Sequence, residues 1–198
     1  MHHQASIQLA MGYAATGRAA ITYGHRATMT ILQAIRHETM TSQHPLYATC
    51  IAQFVRSASF TSKTIALYQN LDNGKNTSQS NAETIAALNI VTEAVMLAEM
   101  IFSPSNTSSY VNHVKWGEVL FDAYLARLHV ILPDDRADWG VRKNILYKLF
   151  RLEKERMVRV TSKQLADVMR LASLHVMERY HTDIRWNGKS TGTQLNVH

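Results

Sequence analysis

The stretch VTSKQLADVMRLASLHVMERY, residues 160–180, decides how the C-terminal part of the chain is interpreted. Thr161 or Ser162 can cap a helix N-terminus, because each offers a side-chain oxygen to the free backbone N–H groups of the first turn. Residues 162–170 then predict a helix with apolar residues at Leu165, Ala166, Val168 and Met169.

A turn is expected directly after this helix. Residues 171–173 (LAS) can reverse the chain, with Ser173 placed to cap a second helix. That second helix would carry Val176 and Tyr180, one turn apart, on a single face. Two short helices, a brief turn and interlocking apolar positions describe a helix-turn-helix.

The flanks of this unit predict short strands. Upstream, alternate residues of 157–160 (MVRV) are apolar, as in a β-strand. Downstream, residues 184–186 (IRW) lead into Asn187-Gly188, the strongest two-residue hairpin signal, and residues 194–197 (QLNV) supply a return strand. The order helix, strand, helix, turn, helix, hairpin means that residues 142–198 resemble the winged helix-turn-helix DNA-binding domains of bacterial regulators. The alternative is one ordinary bundle helix over residues 162–181, followed by a tail.

The resemblance implies a partner and a set of site residues. Double-stranded DNA would receive a recognition helix in its major groove, and two-fold homodimers would cover two half-sites. The residues expected to face the bases are Ser173, His175, Met177, Glu178 and His181. The residues expected to meet phosphate are Arg159, Lys163, Arg170, Arg179 and Lys189.

The distribution of charge agrees with a polyanionic partner. The chain has a formal net charge of +6 and a pI of about 9.5. Residues 142–170 contain nine basic and three acidic side chains, so this window alone carries the whole net excess. A basic window is typical of phosphate-binding proteins, although a solvated helix face has the same composition.

The rest of the chain predicts a helical bundle. Apolar residues recur at steps of three and four over residues 19–37, 46–71, 81–102, 114–132 and 138–155, and residues 1–17 predict a looser helix. The segment 81–102 is apolar around most of its circumference, which indicates a central helix or half of a subunit interface. We therefore expect a mainly α protein: an N-terminal helical bundle (residues 1–133), which also forms the homodimer, followed by a small C-terminal winged helix-turn-helix (residues 134–198).

Several classes of function are not expected. The single cysteine, Cys50, excludes a disulfide framework and is interpreted as a buried small hydrophobe. His175, Glu178 and His181 are three apart, whereas helical zinc motifs set two histidines about four apart, so no metal is predicted. Neither a cofactor, nor a secretory signal, nor a membrane-spanning helix is predicted, and the protein is expected to be cytoplasmic.

Two other functions remain open from the sequence. One is a non-enzymatic, all-α scaffold or assembly protein of phage or plasmid origin. The other is enzymatic: Arg170 and His175 are separated by four residues, a spacing that resembles the motif of HEPN-type ribonucleases. In that family an Arg and a His act together on the RNA phosphate, although the polar residue that usually follows the Arg is Leu171 here.

Overall fold

A computed structural model describes residues 2–37, 40–41, 44–71, 77–102, 116–130 and 138–173. Seven helices lie within these ranges, and none of the described residues forms a β-strand. The helices are α1 (His2–Ala14), α2 (Gly17–Ile35), α3 (Tyr47–Leu71), α4 (Thr77–Phe102), α5 (Trp116–Val130), α6 (Asp138–Lys154) and α7 (residues 162–173).

The predicted mainly α architecture is confirmed for the described residues. Each helix predicted between residues 19 and 155 corresponds to one observed helix, with ends that differ by a few residues. The boundary predicted at residues 133–134 lies outside the described residues, as does the hairpin predicted over 184–197. The domain division therefore stays a prediction.

Helix α3 lies in the middle of the bundle, where it packs on α2, α4 and α5. Its Ile51, Phe54 and Val55 are fully buried, and they meet core side chains such as Ile31 of α2 and Phe121 of α5. Burying each of these large side chains stabilises the fold by about 1.5–3 kcal/mol. Cys50, which is 1% exposed, belongs to the same core, so its interpretation as a small buried hydrophobe is confirmed.

Helix α4 packs on α3 and α5 but leaves one side exposed. Val91, Ala94 and Ala98 are buried, because α4 lies against α3 and α5. Ile85 and Met96, at 54% and 65% exposure, stand on the other side. The described residues therefore do not enclose α4 on every side, and half of a subunit interface stays the prediction for its exposed side. By length and composition alone, the segment Ala82–Ile101 of α4 could cross a membrane, although core helices of soluble proteins pass the same test.

Two glycines allow α1, α2 and α3 to approach closely. A Cβ atom at Gly12 of α1 or at Gly24 of α2 would lie 2.9 Å from the ring of Phe60 on α3. The same ring packs against Tyr13, with a centroid distance of 4.5 Å. Because a real Cβ atom does not come so near, the contact of these three helices depends on the absence of two side chains.

Helix α6 ends in a tight backbone motif centred on Arg156. The N–H of Met157 donates to the carbonyl of Leu152, and the N–H of Arg156 donates to the carbonyl of Glu153, each at 2.9 Å. Arg156 has a φ of +56°, the left-handed conformation that glycine usually supplies at this position. This pattern is the Schellman motif, and it redirects the chain towards α5.

The strand predicted at residues 157–160 is not formed. Residues 157 and 158 are bends, and the carbonyl oxygen of Met157 lies so close to Gly117 of α5 that a Cβ there would be 1.9 Å away. Val158, 7% exposed, joins the core. The apolar residues that suggested a strand therefore serve to pack the connection onto α5, and the turn at Arg156 prevents an extended start.

The cap predicted for α7 is confirmed, but the turn predicted after it is wrong. Gln164 donates its backbone N–H to Thr161 Oγ1 at 3.2 Å, and its side-chain Oε1 accepts from the Thr161 N–H at 3.0 Å. Residues 171–173 continue the helix. Leu171 and Ala172 are strong helix formers, and the Ser173 hydroxyl donates to the Met169 carbonyl at 2.8 Å instead of capping a new helix.

Candidate nucleic-acid interface

The exposed side of α7 carries two of the predicted phosphate ligands. Lys163, Arg170 and Ser173 are exposed and fall within one quadrant of the helix, because they are seven and three residues apart. Leu165 and Met169, also exposed at 49% and 53%, form an adjoining apolar strip. The opposite side of α7 is held to the core by Val168, which is 3% exposed. The helix is thus anchored along one side and presents a mixed basic and apolar side outward.

Helix α6 has a second basic face, which the sequence analysis did not single out. Lys143, Tyr147, Phe150 and Lys154 are exposed and share one side at steps of three and four. Tyr147 and Phe150 are 67% and 45% exposed. Phe150 therefore stands on this exposed side, whereas Ile145 and Leu149 of the same helix are buried. Cations alternating with exposed rings offer phosphate contacts and surfaces on which bases can stack.

The connection between these helices adds two more cations. Arg156 and Arg159 are exposed, and together with Trp116 and Gly117 they line a cavity of about 400 Å³ at the start of α5. We call residues 142–173 the basic segment. Its exposed cations are Lys143, Arg151, Lys154, Arg156, Arg159, Lys163 and Arg170.

Acidic side chains neutralise little of this segment. Glu153 and Glu155 are its exposed acids, and Glu155 is paired with Arg151 at 2.6 Å. The other two basic residues of the segment point elsewhere: Arg142 is buried, and Lys148 binds Glu99 of α4 at 2.5 Å. The positive excess read from the sequence therefore becomes a positive exposed surface.

The predicted site residues are described only in part. Arg159, Lys163, Arg170 and Ser173 are all exposed, as a nucleic-acid contact requires. The remaining predicted residues lie outside the described part of the chain: His175, Met177, Glu178, Arg179, His181 and Lys189. The Arg170–His175 pair of the ribonuclease hypothesis is likewise described only at Arg170.

A histidine beside the basic segment has a perturbed titration. Burial, with a smaller contribution from the neighbouring cations Lys63 and Arg170, lowers the pKa of His129, near the end of α5, to about 4, while Asp167 opposes the shift. Its Nε2 atom is buried and has no hydrogen-bond partner among the described residues. The imidazole is therefore neutral at pH 7, so the basic segment gains no charge from it. No local sequence pattern indicates this lowered pKa, because His129 is distant in sequence from Lys63 and Arg170.

Comparisons of the chain with protein-family models, with curated proteins and with solved structures gave no match. No group of three His, Cys, Asp or Glu residues within the described ranges is arranged to hold a metal ion. The charge and geometry of the basic segment are therefore the features that indicate a function.

Proposed function

We propose that the protein is a cytoplasmic DNA-binding regulator whose basic segment contacts the phosphates of double-stranded DNA. The observation that supports this most is the concentration of seven exposed cations on α6, α7 and their connection, against two exposed acids. Such a surface attracts a polyanion at long range and releases counterions when it binds.

Arg156 supports the proposal independently. A non-glycine residue in the left-handed conformation costs about 1–2 kcal/mol. Glycine would relieve that cost, yet an exposed arginine occupies the position. Strain retained at an exposed cation indicates that its side chain has a task outside the fold, and a phosphate contact is the simplest such task.

The sequence predicted a second helix, beginning near Ser173, as the element in the major groove, and that prediction has to be revised. Because α7 continues through residue 173, the element offered to the major groove would be α7 itself. Lys163 and Arg170 would meet phosphates, while Ser173 would approach the base edges. The adjoining Leu165 and Met169 would contact thymine methyl groups.

Dimerisation would use the exposed side of α4. Ile85, Asn89, Thr92, Met96 and Met100 lie within one quadrant of this helix, and three of the five are large apolar residues that are more than half exposed. A second copy of the chain is the occupant that a two-fold regulator requires, since each copy then covers one half-site.

The same side of α4 favours a second candidate function. An all-α scaffold or assembly protein of phage or plasmid origin would need an apolar contact between copies but no recognition helix. The unbroken α7 agrees with that function, since a continuous helix packed through Val168 can be a plain bundle element.

Salt-dependent binding of a fluorescein-labelled DNA duplex tests the first function. The double variant Lys163→Ala/Arg170→Ala should bind more weakly, and the slope of log K against log salt should fall by about 2 over roughly 50–200 mM salt. The matched control is Arg18→Ala/Arg36→Ala, which removes the same charge from exposed sites at the two ends of α2. Wild-type affinity weaker than about 100 µM at the lowest salt would exclude the proposal, and so would an unchanged slope in the double variant.

Sedimentation of the variant Met96→Lys separates the two functions. The variant should become monomeric, because a buried cation at the centre of an apolar contact is not tolerated. If the wild-type chain assembles through α4 and binds no duplex, the scaffold is the better assignment. If Met96→Lys sediments like the wild type, α4 does not form the interface.

A further inference from the structure

A cavity of about 660 Å³ lies between α1, α3 and α5, and its lining includes no residue of the basic segment. Polar and charged side chains line much of it: His2, Ser6, Tyr13, Gln53, Arg56 and Glu118. Most, though not all, of the buried residues of the surrounding bundle are apolar. Polar groups gathered around a cavity in such a bundle are what a small-molecule site requires.

Gln53 leaves a hydrogen-bonding atom unused inside the bundle. The residue is 9% exposed, and its amide Nε2 donates to Ser6 Oγ at 2.7 Å and to the His2 carbonyl at 3.4 Å. Because the His2 carbonyl can only accept, the orientation of the amide is fixed. The Oε1 atom of Gln53 is buried and has no partner among the described residues. Buried carbonyls are rarely left so, and Gln53 is one of the residues that line the cavity.

The imidazole of His2 presents a second unmet group to the same cavity. Its Nε2 atom is buried and has no hydrogen-bond partner within the described ranges. Two residues that line the cavity from different helices, His2 of α1 and Gln53 of α3, therefore each carry an unmet polar atom. A ligand with more than one polar group would satisfy both.

Charges of both signs line the cavity. Arg56 of α3 supplies a guanidinium and Glu118 of α5 supplies a carboxylate. Asp122, one turn beyond Glu118, lies close enough to raise the pKa of Tyr13, although burial of the phenol raises that pKa more. The complement of such a lining is a molecule with a positive donor at one end and an anionic group at the other.

We propose that this cavity binds a small zwitterion, a free amino acid or a dipeptide. Its ammonium group would donate to Gln53 Oε1 and lie near the Glu118 carboxylate, and its carboxylate would pair with Arg56. The side chain of the ligand would rest on the apolar part of the wall, which includes Leu9 and Ala52. The volume agrees with this class, since ligand cavities are commonly about 300–1,000 Å³. The site adds a small-molecule ligand to the proposed DNA-binding function, and it uses different residues.

Saturation-transfer difference NMR with the free amino acids and their glycyl dipeptides tests the proposal. At least one probe should bind the full chain with a Kd below about 1 mM. The N-acetyl and the C-terminal amide forms of that probe, each lacking one charge, should bind at least about tenfold more weakly to the wild-type protein. This comparison needs no variant, so it stands even where a substitution disturbs folding. The proposal fails if no probe binds at millimolar concentration, or if both blocked forms bind as tightly as the free one.

Two variants and a control locate the site. Gln53→Leu removes the unmet carbonyl and Arg56→Gln removes the guanidinium while keeping most of its stem, so each should weaken binding of the selected probe by at least about tenfold. Arg26→Gln, an exposed residue of α2 outside the cavity lining, should leave binding unchanged. Circular dichroism confirms that each variant is folded. Wild-type affinity in both cavity variants would place the ligand elsewhere and overturn the assignment.

Discussion

Replacing Gly117 by alanine tests how the connection after α6 is fixed to the bundle. An ideal Cβ at this position lies 1.9 Å from the carbonyl oxygen of Met157, whereas ordinary contacts begin at 3.4 Å. The obstacle is backbone, so residues 157–158 must move by about 1.5 Å or the start of α5 must tilt. Overpacking of this kind costs about 1–3 kcal/mol, and Val158 would be pulled from the core as well. We expect the melting temperature to fall by about 2–12 °C, since each kcal/mol lowers it by about 2–4 °C for a chain of this length.

Gly140, in the first turn of α6, provides the matched control. A Cβ atom there meets nothing within 4 Å, so Gly140→Ala adds helix propensity without a clash. It should stabilise the fold by about 0.5–1 kcal/mol. Differential scanning calorimetry of the two variants gives the comparison directly. A melting temperature of Gly117→Ala equal to or above that of Gly140→Ala would refute the packing of the connection against α5.

The remaining predictions concern the end of α6, the start of α7 and His129. Arg156→Gly should raise the free energy of unfolding by about 1 kcal/mol, measured by urea denaturation, because it relieves the left-handed strain; an unchanged or lower value would contradict the strain. Thr161→Ala should lower the free energy of unfolding by about 1 kcal/mol and speed amide hydrogen exchange over residues 162–173, since it removes the capping hydroxyl. Unchanged exchange would count against the cap. His129 is held neutral, so its contribution to stability is complete above about pH 6.5 and is lost as the pH falls to about 4. On a shift from pH 7.5 to 4.5, the free energy of unfolding of His129→Gln should therefore fall by about 2 kcal/mol less than that of the wild type. Equal dependence of the free energy of unfolding on pH in the variant and the wild type would disprove this.

The positions of the helices could be predicted because their apolar residues repeat over many turns. The pattern over residues 46–71, for example, supplies enough repeats to define α3 almost to the residue. Short patterns were less informative. Four residues with alternate apolar positions predicted a strand at 157–160, but the same residues pack on α5 because Gly117 leaves space for their backbone. That space is created by a residue forty positions away, which no local pattern reveals.

The candidate sites also divide into one that neighbouring residues reveal and one that only the packing of distant residues creates. The basic segment was evident from composition, since its cations are neighbours in the sequence and remain exposed in the fold. The cavity was not evident, because His2, Gln53 and Arg56 come together with Glu118 only through the packing of α1, α3 and α5. The prediction of a turn at residues 171–173 was wrong for a different reason. Leu171-Ala172-Ser173 holds neither glycine nor proline, so nothing in it opposes continuation of the helix.

The ion pairs of the bundle explain why the net positive charge emerges at one end of the chain. Three acids of α4 each have a cation nearby: Glu83 and Glu93 face α2, at 3.9 Å from Arg18 and 2.6 Å from Arg36, and Glu99 binds Lys148 of α6. Exposed pairs of this kind stabilise the fold by at most about 1 kcal/mol each. They do balance the charge of α2 and α4, however. The exposed cations of α6, α7 and their connection then dominate the electrostatic field of the protein. Duplex binding should therefore respond to salt mainly through them, whether or not α4 forms a dimer contact.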